Sequence, residues 1–350
     1  MKMKAIVMHK PRDLRFEDVD IPEPLPDEVL IKVKAVGICG SDIPRINIYG
    51  AHKLPIIPGH EFAGEIVEAN GDMGQLKAGD RVTIAPLIPC YQCQYCKMGE
   101  YSLCEDYSYY GSRCNGAFAQ FVAVKKCNLL RVSENITDAF AATTDPLANA
   151  LHGLKQGGMK TGKKVCVYGV GPIGLYTIQA ARLMGAAEVV AVDISKDKLD
   201  IAIKCGVDKV FDGRDSEVAS QIYDYFKGGA DLVLDITGSP IAQLNAILST
   251  AKLGCMVLLG ISHKELKLSK LAVDRIMRGQ ISIKGSWNSF SDPFPGWEWT
   301  YALKLMETGK LEYKSIITHE LALSEAPSLF EKIHQGDLFY NKVLFYPWLS

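Results

Sequence analysis

Residues 163–185 read KKVCVYGVGPIGLYTIQAARLMG and contain the pattern that decides the fold of the second half of the chain. A short apolar run is followed by Gly169, Gly171 and Gly174 and then by a helical pattern. In that context Gly169 makes a tight turn, Gly171 lets the backbone approach a pyrophosphate, and Gly174 lets the helix pack closely. The free N–H groups at the start of the helix attract phosphate. The stretch therefore predicts a dinucleotide-binding βαβ unit.

An acidic residue at the end of the next predicted strand indicates which dinucleotide is bound. Asp193 ends AEVVAVD, where a carboxylate accepts hydrogen bonds from the adenosine ribose hydroxyls and repels a 2′-phosphate. NAD is therefore favoured over NADP. The alternative is a glycine-rich turn that only joins strand to helix, with Asp193 capping the next predicted helix, SKDKLD (195–200). The predicted cofactor contacts are Gly169, Gly171, Pro172, Ile173, Gly174, Asp193 and Lys198, the last of which is equally well explained as a solvated lysine.

Four cysteines form the strongest metal signal. Residues 89–104 read PCYQCQYCKMGEYSLC, with the spacing C-x2-C-x2-C-x7-C. Such pairs let four thiolates surround one tetrahedral Zn2+ and leave no open position for a substrate. Disulfides fit poorly because the other cysteines are scattered, and an iron–sulfur cluster favours a different spacing. The predicted ligands of this structural zinc are Cys90, Cys93, Cys96 and Cys104.

The first part of the chain has the period of β-strands. The segments EVLIKVKAVGI (28–38), GHEFAGEIVEA (59–69), GDRVTIAP (79–86) and GAFAQFVAV (116–124) alternate apolar and polar residues between turn residues. This pattern predicts a twisted, barrel-like domain. From about residue 140 the period becomes helical, and FAATTDPLANALHGLKQ (140–156) predicts helical pieces broken at Pro146.

Strand and helix patterns then alternate to about residue 285, which predicts a parallel, doubly wound sheet. Within it, IAQLNAILSTAKLG (241–254) is predicted as one helix, and CMVLLGI (255–261) as an apolar edge strand that extends the sheet across a homo-oligomer, a dimer or tetramer. The closing strand NKVLFYP (341–347) is expected to fold back on the first domain. The predicted domains are a zinc-binding, barrel-like catalytic domain (1–149 and 286–350) and an NAD-binding domain (150–285).

Composition excludes several classes of protein. The 350 residues are 48% hydrophobic and 23% charged, and their net charge of −1 gives no general attraction to nucleic acid or to an anionic membrane. The N-terminal sequence MKMKAIVMHKPRDLRF has no uninterrupted apolar segment of a secretory signal. Ten cysteines, four of them assigned to a metal and the others scattered, agree with a reducing compartment where free thiols persist. We therefore expect a cytoplasmic protein that acts on a small molecule.

A second group of metal-ligating side chains is weaker evidence. Cys39, His60 and Glu61 lie in GICGSD and PGHEFAG, both at ends of predicted strands. They offer sulfur, nitrogen and oxygen ligands that Zn2+ accepts. Alone, a buried cysteine is more often a core residue, and a His-Glu pair is more often on the surface.

The order of the motifs adds a family resemblance over nearly the whole chain. GICGSD, GHEFAGEIVEA, the four-cysteine lobe, GAFAQF, the DPL segment, GVGPIG and NKVL follow one another as in the zinc-dependent medium-chain alcohol and polyol dehydrogenases. The chain resembles most the sorbitol dehydrogenase-like branch. This resemblance implies an α/β protein with a GroES-like β-barrel catalytic domain and a Rossmann nucleotide-binding domain.

The resemblance also implies a catalytic zinc in addition to the structural one. Cys39 and His60 would bind it, and Glu61 and a later carboxylate would complete its changing coordination shell. The later position is Asp145 here, where the family more often has Glu. The side chain is shorter by one CH2, so direct ligation, ligation through water, and ligation after movement of the zinc all remain open. The alternative for Asp145 is a helix-breaking Asp-Pro turn.

Polyol oxidation needs a hydride acceptor, a Lewis acid and a path for the hydroxyl proton. Ser41 directly follows Cys39 and Gly40, so its hydroxyl is predicted to hydrogen-bond the substrate oxygen and pass the proton on; a turn or cap role is the alternative. Asp42 is better placed behind the zinc ligands than as the base. The expected reaction is oxidation of a secondary alcohol of a sugar-alcohol phosphate to a ketose phosphate.

Substrate contacts are the least determined by the sequence. A phosphate needs basic partners, and the candidates are Arg45, Lys53 and Arg113, each equally plausible as a solvated charge. Trp287 and Asn288 follow the last predicted sheet strand, where the resemblance implies walls of the cleft, although a core Trp is the ordinary alternative. Unphosphorylated sorbitol or xylitol, a vicinal diol and L-threonine remain alternative substrates. A catalytically inactive nucleotide-binding sensor is the alternative from another class, supported only by Asp145.

Overall fold

The computed structural model describes residues 1–69, 74 and 76–349. Contacts divide the chain into two compact units. The first unit contains Met1–Asp145, Phe290–Gly309 and Ile317–Ser350, and the second contains Pro146–Ser289 and Lys310–Ile316. No helix among the described residues is long and apolar enough to cross a membrane.

The structure contains the following strands. The first nine are β1 (Lys2–Lys10), β2 (Asp13–Asp20), β3 (Glu28–Gly37), β4 (Glu61–Ala69), β5 (Arg81–Ile84), β6 (Leu87–Ile88), β7 (Ser108–Tyr109), β8 (Phe121–Lys125) and β9 (Leu129–Arg131). The next six are β10 (Lys164–Tyr168), β11 (Glu188–Asp193), β12 (Lys209–Asp212), β13 (Ala230–Asp235), β14 (Thr250–Leu258) and β15 (Ser282–Gly285). The last two are β16 (Ile317–Ala322) and β17 (Lys342–Tyr346).

The α-helices lie between these strands. They are α1 (Asp42–Pro44), α2 (Gln94–Lys97), α3 (Asp138–Ala141), α4 (Thr144–Gln156), α5 (Pro172–Leu183), α6 (Lys196–Lys204), α7 (Val218–Tyr225), α8 (Pro240–Ser249), α9 (Lys270–Gly279), α10 (Trp297–Glu307) and α11 (Ala326–Gln335). A π-helical turn (Arg45–Tyr49) follows α1, and short 3-10 helices cover Tyr101–Leu103, Lys126–Asn128 and Leu323–Glu325.

The second unit is built on a parallel sheet of six strands in the order β12-β11-β10-β13-β14-β15. β10 and β11 are almost wholly buried because their runs of valine, alanine and cysteine are covered on both faces. The strand order reverses between β10 and β13, and ligands of such sheets bind at the carboxyl ends of the strands at this switch point. The prediction of a doubly wound sheet is confirmed.

The first unit contains a sheet of seven strands in the order β16-β17-β3-β4-β5-β9, with β8 also paired to β3. β3 therefore contacts three strands, and its apolar residues lie in a core that also includes Phe62, Phe118 and Phe345. The closing strand β17 pairs antiparallel with β3, as expected for a tail that folds back on the first domain.

Three local predictions were wrong. The helix predicted over residues 241–254 ends at Ser249, and Thr250 already begins β14. The first four residues of CMVLLGI end β14, which lies between β13 and β15 and is not a sheet edge; the edge strand on that side is β15, which is exposed throughout. Pro146 does not break a helix, because it lies in the first turn of α4, where no backbone N–H is needed.

Candidate active site and metal-binding groups

The glycine-rich turn lies at the carboxyl end of β10, at the switch point of the parallel sheet. Gly169 has a φ of +91°, and a side chain there would come within 2.7 Å of Thr237 Cγ2. A Cβ on Gly174 would lie 2.0 Å from the Gly169 carbonyl oxygen. Both positions therefore require glycine. Apart from its chain neighbours, no described residue has an atom within 4 Å of the Cβ position of Gly171, so the helix start is open to a ligand there.

Asp193 connects the turn to the end of β11. Its carboxylate accepts hydrogen bonds from the backbone N–H of Val170 at 2.8 Å and of Ser195 at 2.9 Å. The cap of α6 is Ser195, whose side chain accepts from the N–H of Lys198. Ser195, and not Asp193, therefore caps helix α6, which argues against the alternative in which Asp193 serves only as a helix cap. Its remaining lone pairs are available to a ligand hydroxyl, and Lys198 lies half-buried in the first turn of α6.

The four cysteines of residues 90–104 lie together. Their sulfur atoms are all within 4.8 Å of one another, and the Cys90 and Cys96 sulfurs are 3.9 Å apart. Four sulfurs at about 2.3 Å from a tetrahedral zinc would be separated by about 3.8 Å. Backbone N–H groups of Gln92 and Cys93 point at Cys90 Sγ, as expected for a thiolate. All ten cysteines are free thiols in the structure. The donor set fits one structural zinc.

Electrostatics in this group also favour a bound cation. Hydrogen bonds from the Glu105 and Cys96 backbone lower the pKa of Cys93 to about 6, whereas burial raises the pKa of Cys96 to about 12. Four adjacent sulfurs cannot all be thiolates unless a positive charge lies between them. A zinc ion bound among them would supply that charge.

Cys39, His60 and Glu61 form the second group of donor atoms within 4.8 Å of one another. Cys39 follows β3, and Glu61 begins β4, so the pairing of these strands brings the donors together. Burial opposes charge on both Cys39 and His60. Even so, His60 lowers the pKa of Cys39 to about 7, and Asp42 and Cys39 raise the pKa of His60 to about 10. Metal binding needs the Cys39 thiolate and a neutral His60 ring, so a zinc ion would take the place of the His60 proton opposite the thiolate, and the donor types fit zinc.

Asp42 is the fully buried carboxylate behind this group. It accepts from Cys39 N–H at 3.0 Å and from Arg45 Nη1 at 2.6 Å, and its Oδ1 lies 3.5 Å from His60 Nδ1. A carboxylate facing one ring nitrogen fixes the histidine orientation and leaves the other nitrogen for a metal. The sequence predicted this supporting position for Asp42 but not its ion pair with Arg45.

Glu61 has a partner that the sequence analysis missed. Lys342, in β17, is fully buried; its ammonium forms an ion pair with Glu61 and donates to the Ile38 carbonyl at 2.9 Å. A side chain on Gly37 would lie 2.6 Å from Lys342 Cε, so the glycine makes room for this pair. No local signal could have revealed the contact, because the two residues are far apart in the chain.

Asp145 and Ser41 occupy different positions around these donors. Ser41 Oγ lies 3.3 Å from Cys39 Sγ, so its hydroxyl reaches the metal-binding group. Asp145 is buried in the first turn of α4 and is not one of the described donors within 4.8 Å of each other. Burial and the charges of Asp145 and Cys39 raise the pKa of Tyr109, which shows that Asp145 lies in the same neighbourhood. Tyr109 packs edge-on to His60, with ring centroids 5.4 Å apart.

The predicted substrate contacts are distributed over both units. Arg113 stacks on the Tyr107 ring, 4.5 Å from its centroid, and Lys53 is exposed. Both residues belong to the first unit. Trp287 and Asn288 belong to the second unit: Trp287 is 46% exposed, and Asn288 has a φ of +54° and a buried amide nitrogen without a hydrogen-bond partner among the described residues.

Comparison with known proteins places the chain in a family. Residues 25–134 match the alcohol dehydrogenase GroES-like domain, and residues 172–306 match the zinc-binding dehydrogenase domain. The chain is 34% identical over 320 residues to galactitol 1-phosphate 5-dehydrogenase of Escherichia coli strain K12, covering 91% of this chain and 92% of that protein. It is 30% identical over 353 residues to sorbitol dehydrogenase of Bacillus subtilis, covering 99% and 97%.

A solved structure indicates the same family. The crystal structure of galactitol-1-phosphate dehydrogenase from Escherichia coli matches with a TM-score of 0.94 and 32% identity, over 99% of this chain and 100% of that one. The predicted fold class, a GroES-like domain with a Rossmann domain, is confirmed by these matches. The chain belongs to the zinc-dependent medium-chain dehydrogenases, within their polyol dehydrogenase group.

Proposed function

We propose that this polyol dehydrogenase oxidises a secondary alcohol of a polyol phosphate with NAD, and that galactitol 1-phosphate is converted to tagatose 6-phosphate. The observation that carries the proposal is the group of half-buried Cys39 with buried His60 and Glu61, with the Ser41 hydroxyl 3.3 Å from Cys39 Sγ. Resemblance to the Escherichia coli enzyme supports the substrate. Sorbitol or xylitol, a vicinal diol and L-threonine are the alternative substrates.

The residues of the chain divide the work of the reaction. The chemistry that zinc and NAD supply when bound is Lewis-acid activation of the alcohol and acceptance of its hydride. Cys39, His60 and Glu61 would hold the catalytic ion, Asp42 fixes the His60 ring, and Ser41 accepts the hydroxyl proton and passes it towards solvent. Asp145 would lie near the same ion without binding it directly.

Two zinc ions and a division between domains are part of the proposal. The four-cysteine group would hold a structural ion, and the Cys39, His60 and Glu61 group would hold the catalytic ion. Residues 1–149 and 286–350 would form the catalytic domain, and residues 150–285 would bind NAD through the glycine-rich turn. The open space beside Gly171 and the carboxylate of Asp193 support the second assignment.

We expect Asp193→Ala to weaken NAD+ binding and narrow the preference for NAD+ over NADP+. The carboxylate favours ribose hydroxyls and repels a 2′-phosphate, so its loss removes both effects. We expect kcat/KM with NAD+ divided by kcat/KM with NADP+ to fall by about tenfold or more, since one charge-assisted hydrogen bond is worth about 1.5–3 kcal/mol. Asp197→Ala, which removes an exposed carboxylate from the first turn of the following helix α6, is the matched control. An unchanged ratio in Asp193→Ala would disprove the assignment.

A substrate panel tests the proposed function itself. Galactitol 1-phosphate, sorbitol, xylitol, 2,3-butanediol and L-threonine are each assayed with NAD+ and with NADP+. We expect the highest kcat/KM for galactitol 1-phosphate with NAD+. A higher value for an unphosphorylated polyol would reject the substrate proposal. The absence of reduced cofactor with every substrate would favour the inactive nucleotide-binding alternative.

A further inference from the structure

We propose that Arg113 and His52 form the phosphate subsite of the substrate site, and that neither Arg45 nor Lys53 belongs to it. The inference rests on the proposed polyol phosphate function. It selects one of the three cations that the sequence could not distinguish and adds a histidine that the sequence analysis did not consider.

Arg113 lies on a turn that is fixed to the backbone next to His60. A side chain on Gly111 would lie 2.8 Å from Gly59 N, and one on Gly116 would lie 2.0 Å from Gly59 O. The N–H of Ala117 donates to the Gly59 carbonyl at 2.9 Å. Because Gly59 directly precedes His60, the turn cannot shift without moving the histidine. Arg113 is therefore held at a set distance from the proposed reaction centre, as an anion-binding group for a fixed substrate must be.

A line of aromatic rings connects the two positions. The Tyr109 ring is 5.4 Å from the His60 ring, Tyr107 is 6.4 Å from Tyr109, and the Arg113 guanidinium lies 4.5 Å above Tyr107. Stacking on Tyr107 orders the long Arg113 side chain before a ligand arrives. The two ends of this line suit a substrate with a reacting hydroxyl at one end and an anion at the other.

His52 lies beside Arg113. Its backbone N–H donates to the Ser112 carbonyl at 3.3 Å, which joins the loop of residue 52 to the turn. Burial lowers the pKa of His52, and the positive charges of Arg113 and Arg45 lower it further, so His52 lies within electrostatic reach of both arginines. A phosphate dianion bound by Arg113 would favour the charged form of His52, which would then attract it as well.

In the described part of the chain Arg45 has a carboxylate partner, whereas Arg113 and His52 do not. Arg45 is 2.6 Å from the buried carboxylate of Asp42 and orders the proposed metal site. Among the described residues, no carboxylate forms an ion pair with Arg113 or His52. Arg113 has the planar donors that bind two phosphate oxygens at once. Lys53, like His52, is exposed, but its charge acts on Cys114.

The test compares alanine variants of Arg113, His52 and Lys53 with galactitol 1-phosphate and with sorbitol, at saturating NAD+. We expect Arg113→Ala to lower kcat/KM for galactitol 1-phosphate by about 30- to 100-fold, mainly through KM, and His52→Ala by about fivefold. The loss with sorbitol should be at least tenfold smaller. Arg113→Lys should fall between wild type and Arg113→Ala, because it keeps the charge and loses the two-point contact.

Several outcomes would overturn the subsite. They are a larger effect of Lys53→Ala than of Arg113→Ala, equal losses with both substrates, and full activity of Arg113→Ala. Competitive inhibition by inorganic phosphate separates the subsite from the substrate proposal. Suppose that the wild type prefers sorbitol, and that phosphate competes with sorbitol at least tenfold more weakly in Arg113→Ala than in the wild type. The subsite then stands, and the choice of galactitol 1-phosphate as substrate fails. If phosphate inhibits both proteins equally, the subsite is wrong.

Discussion

Replacing Cys39 with serine is expected to lower polyol turnover by at least about a thousandfold while leaving the fold intact. Cys39 supplies the thiolate of the proposed catalytic metal group, and a serine hydroxyl does not ionise at neutral pH to replace it. Loss of Lewis-acid activation removes several kcal/mol of transition-state stabilisation, and about 4 kcal/mol corresponds to a thousandfold. The substitution changes one atom of a half-buried side chain, so the core should remain packed.

The measurement combines turnover with metal content and melting temperature. We expect Cys39→Ser to lose one zinc equivalent per chain and to melt within about 3 °C of the wild type, because exchanging a single atom changes stability by about 1 kcal/mol. Cys127→Ser is the matched control, since Cys127 is exposed and outside both described metal groups. If Cys39→Ser kept more than about a tenth of the wild-type turnover, the assignment would be wrong, because removal of a Lewis acid should cost much more activity.

The sequence predicted those parts of the site that depend on local pattern. The spacing of the four cysteines brings their sulfurs together within one short lobe, and the glycine-rich turn follows directly from strand β10. Local chain geometry determines both arrangements. The Cys39 and His60 group was predicted only with the help of the family resemblance, because its members come from separate strands and meet through the pairing of β3 and β4.

Long-range contacts account for what the sequence did not predict. The ion pair of Glu61 with Lys342 depends on β17 pairing with β3, and the buried lysine has the pattern of an ordinary strand residue. The end of α8 was placed too late because Ala, Lys and Leu in residues 251–253 favour a helix, whereas in the structure they enter β14 beside β13. Tertiary pairing overrode the local propensity.

Replacing Cys93 with serine is expected to have the opposite effect from Cys39→Ser: lower stability, with turnover retained. Cys93 belongs to the group whose four thiols leave no position for a substrate, so its metal would link residues 90 and 104 without taking part in the reaction. A cross-link closing a loop of about 15 residues stabilises a protein by about 3 kcal/mol. Such a loss corresponds to a fall in melting temperature on the order of 5–10 °C.

The comparison of the two variants decides whether the two metal groups have separate roles. Cys93→Ser should lose one zinc equivalent and melt earlier, yet turn over substrate at 25 °C at no less than about a third of the wild-type rate while it remains folded, because a structural zinc contributes to folding and not to the reaction. Cys127→Ser again controls for loss of a thiol. Loss of turnover in Cys93→Ser at an unchanged melting temperature would mean that the four-cysteine metal takes part in the chemistry. In that case the four-cysteine site could not be closed, because a closed tetrahedral site has no position from which to act on a substrate, and the assignment of catalysis to Cys39 and His60 alone would be wrong.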